Sequence, residues 1–311
     1  MAKIFMTGGA GYLGSTLVPH LLGCGHQVTV LDDFRYDETS LLNVACHEKF
    51  KVERGDARDE RLVRRLVRDA DVIIPLAAVV GAPACKRAPT EAISINTDAV
   101  TLLNHLRSRS QRILFPTTNS GYGNTDATEM CTEDSPLDPV SLYGRTKVEA
   151  ESILLESENA VTFRLATVFG VSPRLRLDLL VNDFTYRAFK DRCLILFEAD
   201  FIRNYVSVQD VADLLAWVIG REEPLPDGPY NFGLSEANYT KRQLCEIIQR
   251  EVPDFTFLES AVGTDPDQRN YLISNHKIEA AGFAATTTVT QGVRDLLKAF
   301  AMITHSRYGN F

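Results

Sequence analysis

The first half of the chain alternates short apolar runs with amphipathic stretches. KIFMTG, QVTVLDD, KVERGD, DVIIPLAA and RILFPTT are rich in β-branched and aromatic residues, too short for helices, and read as strands. Between them, TLVPHLLGCG, ERLVRRLVRDA and EAISINTDAVTLLNHLRSR return apolar residues every three or four positions, as one face of a helix does. Strands alternating with helices of this length imply βαβ units and a mostly parallel, doubly wound sheet. The pattern predicts a further helix at LYGRTKVEAESILLES, a strand at AVTFRLATVFG, and a strand with its helix in NYVSVQDVADLLAWVIG. Residues 171–204 show no regular alternation, and the C-terminal part carries helices at TKRQLCEIIQREV and TQGVRDLLKAFAMI.

The first strand runs directly into Gly8-Gly9-Ala10-Gly11-Tyr12-Leu13-Gly14 and then a helix. Glycines in that setting allow a tight turn and let the backbone approach a pyrophosphate, which the helix N-terminus attracts. Asp32 closes the second strand, 18 residues after Gly14. A carboxylate there accepts hydrogen bonds from adenosine ribose hydroxyls and repels a 2′-phosphate, which favours NAD over NADP. Arg35 close by weakens that preference. Asp56, in RGDA after the third strand, is a candidate for the adenine edge or a plain helix N-cap. The fold class is therefore α/β: a Rossmann-type doubly wound parallel sheet with a smaller, intertwined C-terminal substrate-binding lobe. The expected NAD-binding domain is 1–170 together with about 205–232, and the expected lobe is 171–204 with 233–311.

Tyr143-Gly144-Arg145-Thr146-Lys147 sets a phenol and an ammonium one helical turn apart on one face. The cation favours phenolate and makes the tyrosine a usable base near neutrality. Tyr186 and Lys190 have the same spacing, so position must decide. Tyr143 follows Thr118, at the end of RILFPTT, by 25 residues, and Thr118 can hold a substrate hydroxyl. Tyr186 and Lys190 lack such a partner and read as a solvated helix face.

Composition narrows the partners. Among 311 residues, 41 acidic outnumber 33 basic, for a formal net charge of −8. That balance argues against a general nucleic-acid or anionic-membrane binder. No apolar run approaches a membrane span, and the N-terminal apolar stretch is too short for a signal peptide, so a cytoplasmic protein is expected. Six scattered cysteines and six histidines show no metal-ligand spacing, so thiols rather than disulfides, and no metal, are expected.

At these residues the chain resembles the extended short-chain dehydrogenases/reductases, the NAD-dependent nucleotide-sugar epimerases and dehydratases. The likeness runs through TGGAGYLG, Asp32, GDA, PLAA, SINTDAV, TTNSGYG, YGRTK, RLATVFG, RNYVSVQDVA and YNFG. It implies NAD held by Gly8, Gly11, Tyr12, Leu13, Asp32, Asp56, Ala57, Leu76, Ala77, Ala78, Asn96, Tyr143 and Lys147. It implies that Tyr143 takes the proton of a sugar hydroxyl, usually at C4, while Lys147 binds the nicotinamide ribose and Thr118 positions the hydroxyl. Arg203 matches the family arginine on the nucleotide phosphates, a task that suits a guanidinium. Asn119, Ser120, Thr167, Arg174 and Asn182 complete the implied substrate set, with Arg176 beside them; these arginines read equally as a solvated loop. Cys85 and Lys86 would lie in a loop over the sugar, touching substrate or not.

Departures narrow the chemistry that the resemblance implies. Pro75 stands where the family often has His, and Thr167 where it usually has Asn. After Thr118, the 4,6-dehydratases carry Asp-Glu, the uronic-acid decarboxylases a nearby Glu and the 3,5-epimerase/reductases a Cys; here Asn119 and Ser120 follow. Simple C4 redox chemistry remains. PLAAVVGAPACKRAP, TNSGYG, RLATVFGVSPRLRLDLLVNDFTYRA and DPDQRNYLISN together are similar to the bacterial branch containing GDP-glycero-manno-heptose 4-dehydrogenase of capsule heptose pathways. The expected activity is NAD-dependent oxidation at C4 of a nucleotide-diphosphate sugar. A 4-epimerase using the same residues is the alternative, and a silent NAD-binding sensor or scaffold a remote one. The resemblance also implies a homodimer formed through the helix containing KVEAESILLES.

Overall fold

In the computed structural model, which describes residues 1–36, 39–260 and 269–303, the apolar runs do become strands. In chain order these are β1 (Lys3–Thr7), β2 (Gln27–Asp32), β3 (Phe50–Arg54), β4 (Val72–Pro75), β5 (Arg112–Thr118), β6 (Met130–Cys131) and β7 (Ala160–Leu165). Then come β8 (Thr167–Phe169), β9 (Cys193–Leu196), β10 (Ile202–Ser207), β11 (Gly228–Phe232), β12 (Asn238–Thr240), β13 (Thr256–Glu259) and β14 (Leu272–Ile273). The helices are α1 (Tyr12–Gly23), α2 (Glu60–Val67), α3 (Ala82–Arg87), α4 (Pro89–Ile93), α5 (Ala99–Leu106) and α6 (Leu142–Leu155). They continue with α7 (Leu180–Lys190), α8 (Val208–Gly220), α9 (Lys241–Glu251), α10 (His276–Ala280) and α11 (Val289–Phe300).

The chain folds into two compact units. The first comprises Met1–Thr118, Ser141–Arg164 and Ala212–Tyr230, and the second Asn119–Val140, Leu165–Val211 and Asn231–Phe311. Residues 119–140, 165–170 and 205–211, expected in the cofactor lobe, thus pack with the second unit. Their strands explain this: β8 pairs with β10, and β6 with β14, rather than with the large sheet.

The large sheet is parallel, seven-stranded, in the order β11-β7-β5-β4-β1-β2-β3. Strand order reverses on either side of β1, which pairs with β2 through Thr7↔Leu31 and with β4 through Thr7↔Pro75. In such sheets the crevice beyond the carboxyl ends of the strands, at that reversal, is where ligands bind. Phe5, Ile73, Ile113 and Phe115 project from the sheet into a core closed by Val63 and Val67 of α2 and Leu103 of α5. Both faces of the central strands are covered, which accounts for runs such as VIIP that are buried throughout. At the edge, β3 exposes Lys51, Val52 and Arg54, and its charged residues discourage further strand pairing.

Residues 171–204, which show no alternation in sequence, contain α7 and β9. The signal is weak because α7 buries Asn182 and Thr185 along with Val181 and Phe184, so polarity does not mark its face. The ring of Tyr186 packs edge-on against Phe300 with centroids 5.2 Å apart, so only Lys190 of that pair is a solvated residue. Among the described residues no helix is long and apolar enough to cross a membrane.

Candidate active site

Parallel register brings the ends of β1, β2, β3, β4 and β5 to one edge of the first unit. Gly8 leaves β1 with φ +71°, a conformation L side chains rarely adopt, and a Cβ there would lie 2.4 Å from the Ala77 nitrogen. The loop after β4 is held close by Leu76 N–H donating to the Thr7 carbonyl at 2.9 Å and Ala77 N–H to Thr7 Oγ1 at 3.4 Å. A Cβ on Gly14 would sit 2.4 Å from the Gly9 oxygen, so the loop and the first turn of α1 require glycine at both ends. Gly11 is the N-cap of α1 and no side chain caps it, so the helix offers its positive end to a ligand.

Asp32 accepts Ala10 N–H on one oxygen and Phe34 N–H on the other, both at 2.9 Å, which fixes its carboxylate beside the glycine turn. Arg35 is taken up by two acids: it reaches Asp33 at 2.6 Å and Glu91 at 2.9 Å, and they hold its guanidinium charged. A 2′-phosphate therefore meets carboxylates and a neutralised arginine, whereas a ribose diol meets an acceptor. The glycine cradle, the uncapped helix end and the Asp32 carboxylate fit NAD.

Asp56 is not an N-cap; Asp59 caps α2, accepting Leu62 N–H at 3.1 Å. Asp56 instead binds Arg58 at 2.5 Å, which holds its carboxyl below the usual range. Ala57 beside it and Leu76, Ala77 and Ala78 after β4 are partly accessible.

Asn96, expected at the cofactor, is bonded to protein. It lies in a π-helical turn, Ser94–Asp98, between α4 and α5, and is 1% exposed. Its carbonyl accepts Val79 N–H at 2.8 Å, and its amide donates to the Val79 carbonyl at 3.0 Å and Thr146 Oγ1 at 3.1 Å. These bonds brace α6 against the loop after β4. Cys85 is core as well. Fully buried, it donates to the Val79 carbonyl at 3.2 Å, packs with Ala92 and Ile95, and burial pushes its thiol up to about 11. Lys86 is exposed.

Helix α6 begins at Ser141, whose hydroxyl accepts Gly144 N–H at 3.1 Å, and this cap sets Tyr143 in the first turn. Tyr143 is half-buried against Val79, Cys85 and Ile95. One turn on, Lys147 is 5% exposed; Nζ donates to the Pro116 carbonyl at 2.8 Å and lies 3.9 Å from the Phe115 ring centroid. Burial lowers its pKa to about 7, opposed by the charge of Glu151. Thr118, 8% exposed, ends β5, the strand on which α6 packs. The first unit therefore carries a phenol, a buried amine poised near neutrality and a hydroxyl around one helix–strand contact.

In the second unit, Asn119 and Ser120 open a short 3-10 turn, Asn119–Tyr122. Asn119 is 1% exposed, and both polar atoms of its amide lack a hydrogen-bond partner in the protein. Ser120 Oγ accepts from Arg269, a residue the motif reading did not single out although it lies within DPDQRNYLISN. Arg203, 2% exposed, lies over the Tyr271 ring, and both Arg203 and Arg269 bear electrostatically on the fully buried Tyr205 phenol. Thr167 is the register partner of Tyr205.

Asn182 and the arginine loop, expected near the substrate, are also bonded to protein. Asn182 is fully buried; it accepts Gly170 N–H at 3.0 Å and donates to the Gly170 and Arg176 carbonyls at 3.3 and 2.8 Å. It pins the loop. Arg176 grips Asp178 through two nitrogens at 3.0 and 2.5 Å, and Arg174, 7% exposed, donates to the Leu175 carbonyl at 2.7 Å. The loop is built rather than solvated.

Comparison with known proteins agrees with this geometry. The model of the NAD dependent epimerase/dehydratase family matches residues 4–233. The low-salt glycan biosynthesis protein Agl12 of Haloferax volcanii is 29% identical over 303 residues, covering 93% of this chain and 96% of that protein. UDP-glucuronic acid decarboxylase 1 of Arabidopsis thaliana is 25% identical over 313 residues, covering 96% of this chain and 69% of that protein. The structure of UDP-glucose 4-epimerase from Thermus thermophilus in complex with NAD superposes with a TM-score of 0.81 at 24% identity, covering 96% of this chain and 99% of the other. The chain belongs to the NAD dependent epimerase/dehydratase family, and its cofactor is NAD.

Proposed function

We propose that the protein oxidises C4 of a nucleotide-diphosphate sugar, a GDP-heptose, to the 4-keto sugar. The observation that carries the reading is the pairing of Tyr143 with a buried Lys147 one turn away, beside the β5 strand that ends in Thr118. A cation in low dielectric stabilises the Tyr143 phenolate, so Tyr143 accepts the C4 hydroxyl proton. Thr118 holds that hydroxyl, and Lys147 holds the ribose of the cofactor. NAD, when bound, supplies the hydride acceptor. Asn119, Ser120 and Arg203 are the nucleotide-sugar residues in this reading, with Arg269 added to them. Neither Asn119 nor Ser120 is an acid or a thiol, which leaves no side chain there for elimination, decarboxylation or 3,5-epimerisation. The working form is a cytoplasmic homodimer.

A 4-epimerase needs the same three residues and remains the second reading, because the distinction lies in whether the ketone turns over before hydride returns. A silent sensor is disfavoured by the intact Thr118, Tyr143 and Lys147. The test is a panel of GDP-, UDP-, ADP- and CDP-sugars with mass and NADH readout. A ketone with accumulated NADH supports the dehydrogenase, and an isomer with no net NADH supports the epimerase. Unchanged turnover in Tyr143→Phe would overturn both.

A further inference from the structure

α4, the turn Ser94–Asp98 and α5 follow one another without a gap, and the middle piece winds as a π turn. Such turns are rare and concentrate at functional sites. Successive residues of a regular helix point to different sides. Here two successive residues, Asn96 and Thr97, both bond Thr146 of α6. The Asn96 amide donates to Thr146 Oγ1 at 3.1 Å, and the Thr97 hydroxyl donates to the Thr146 carbonyl at 3.2 Å. Asn96 and Thr146 are each 1% exposed and Thr97 is 4% exposed, so water does not compete for these bonds.

Thr146 passes this grip on to Tyr143. An amide N–H can only donate, so Thr146 Oγ1 accepts from Asn96 and directs its own proton to the Tyr143 carbonyl, at 3.0 Å. Helical threonines often bond a carbonyl one turn back. What sets Thr146 apart is the second bond, received from another helix. The far end of the bridge is fixed too, because Asn96 holds both the N–H and the carbonyl of Val79, at 2.8 and 3.0 Å. Val79 belongs to the apolar cluster against which Tyr143 packs. Tyr143 is therefore tied to the loop after β4 twice, by packing and through the bridge Thr146–Asn96. Helix formation alone does not call for a hydroxyl at position 146, since alanine suits a helix interior better.

We propose that Thr146 is a positioning residue for the reaction: its hydroxyl, oriented by Asn96 of the π turn, sets where Tyr143 stands relative to the loop after β4. The proposal rests on the reading of Tyr143 as the base. Misplacing a reacting group by about 1 Å costs about 10²-fold in rate, so a catalytic side chain on the first turn of a helix needs that turn held. Thr146→Val keeps the shape of the side chain and removes the hydroxyl. Asn96 then loses an acceptor, the Tyr143 carbonyl loses a donor, and the first turn of α6 is freed from Val79. Thr146 carries no charge, so the change acts on position and leaves the titration of the site where it was.

The test is single-turnover hydride transfer, followed as NADH absorbance after mixing the NAD-bound protein with the GDP-, UDP-, ADP- or CDP-sugar that gives the largest signal. Thr146→Val is expected to slow this step by about 10–100-fold at saturating sugar, with the midpoint of its pH profile unmoved and sugar affinity within about threefold of the parent. Thr146→Ser, which restores the hydroxyl, is expected to recover the rate. Thr146→Ala, favourable in a helix, is a second variant without the hydroxyl and is expected to be as slow as the Val variant. In the ligand-free chain, the amides of the first turn of α6 are expected to exchange with deuterium about tenfold faster in Thr146→Val and at the parental rate in Thr146→Ser. A folded Val or Ala variant that transfers hydride at the parental rate would make the bridge structural and overturn the proposal. A slow Val variant with a shifted pH midpoint, or one that Ser does not recover, would overturn it as well. Tyr143→Phe at the parental rate, or a parent silent with every sugar, would instead overturn the base reading, and the proposal with it.

Discussion

The ammonium of Lys147 meets the carbonyl of Pro116 at 2.8 Å, tying α6 to β5 two residues before Thr118. This bond holds a cation in the core of the cofactor-binding unit, and its consequences reach both stability and reactivity.

With a folded pKa of about 7 against an ordinary 10.5, Lys147 holds its proton less firmly in the folded chain than in the unfolded one. The unfolded state therefore binds more protons between those values, and this group's contribution to stability rises with pH across that window. Below it, the desolvation penalty is present in full. Lys147→Met removes the penalty, so its melting temperature should exceed the parent's by several degrees near about pH 6, the gap closing toward about pH 10. Sugar oxidation should fall by about 10²–10⁴-fold. Calorimetry across pH with an NADH assay checks both; a gap that widens with pH would contradict the burial argument.

Asn119 carries a buried amide with no protein partner, which costs about 1–3 kcal/mol per unsatisfied group. Asn119→Ala should leave the ligand-free chain as stable or more so, while weakening nucleotide-sugar binding by about tenfold. Thermal unfolding and titration calorimetry with the turned-over sugar nucleotide separate the two effects. A variant that loses stability but keeps affinity would make the amide a structural group.

Arg35 is held by Asp33 and Glu91, and Asp32 is tied to Ala10 and Phe34. Asp32→Ala alone should therefore lower NAD affinity without conferring NADP binding. Adding Asp33→Ser and Glu91→Gln releases the guanidinium, and NADP affinity should then rise by about tenfold or more. Fluorescence titration with both cofactors measures this; NADP binding by the single variant would show that Arg35 is already available.

Much of the cofactor half was legible in the chain because its signals are local. A glycine turn between strand and helix, an acid at the next strand end and a phenol–ammonium pair at helical spacing each occupy a few adjacent residues, and backbone sterics and helix geometry dictate their arrangement. The strands β1, β4 and β5 were equally legible, since burial on both faces favours apolar runs such as VIIP.

What only the tertiary structure decided concerns polar groups whose partners lie far away in sequence. Asn96 and Asn182 read as ligand contacts, and the fold supplies each with protein partners, Val79 and Thr146 for Asn96, Gly170 and Arg176 for Asn182. Asn119 has the same side chain with the opposite outcome, because its fold neighbours leave both ends of the amide unmet. Arg164 and Glu151 are 13 residues apart and on different elements, so their pairing appears only when β7 lies beside α6. The division of the chain was decided the same way, by β6 and β8 pairing with β14 and β10. An amide or a charge in a sequence declares what it can bind; desolvation and geometry, set by residues brought from elsewhere in the chain, decide whether protein or ligand satisfies it.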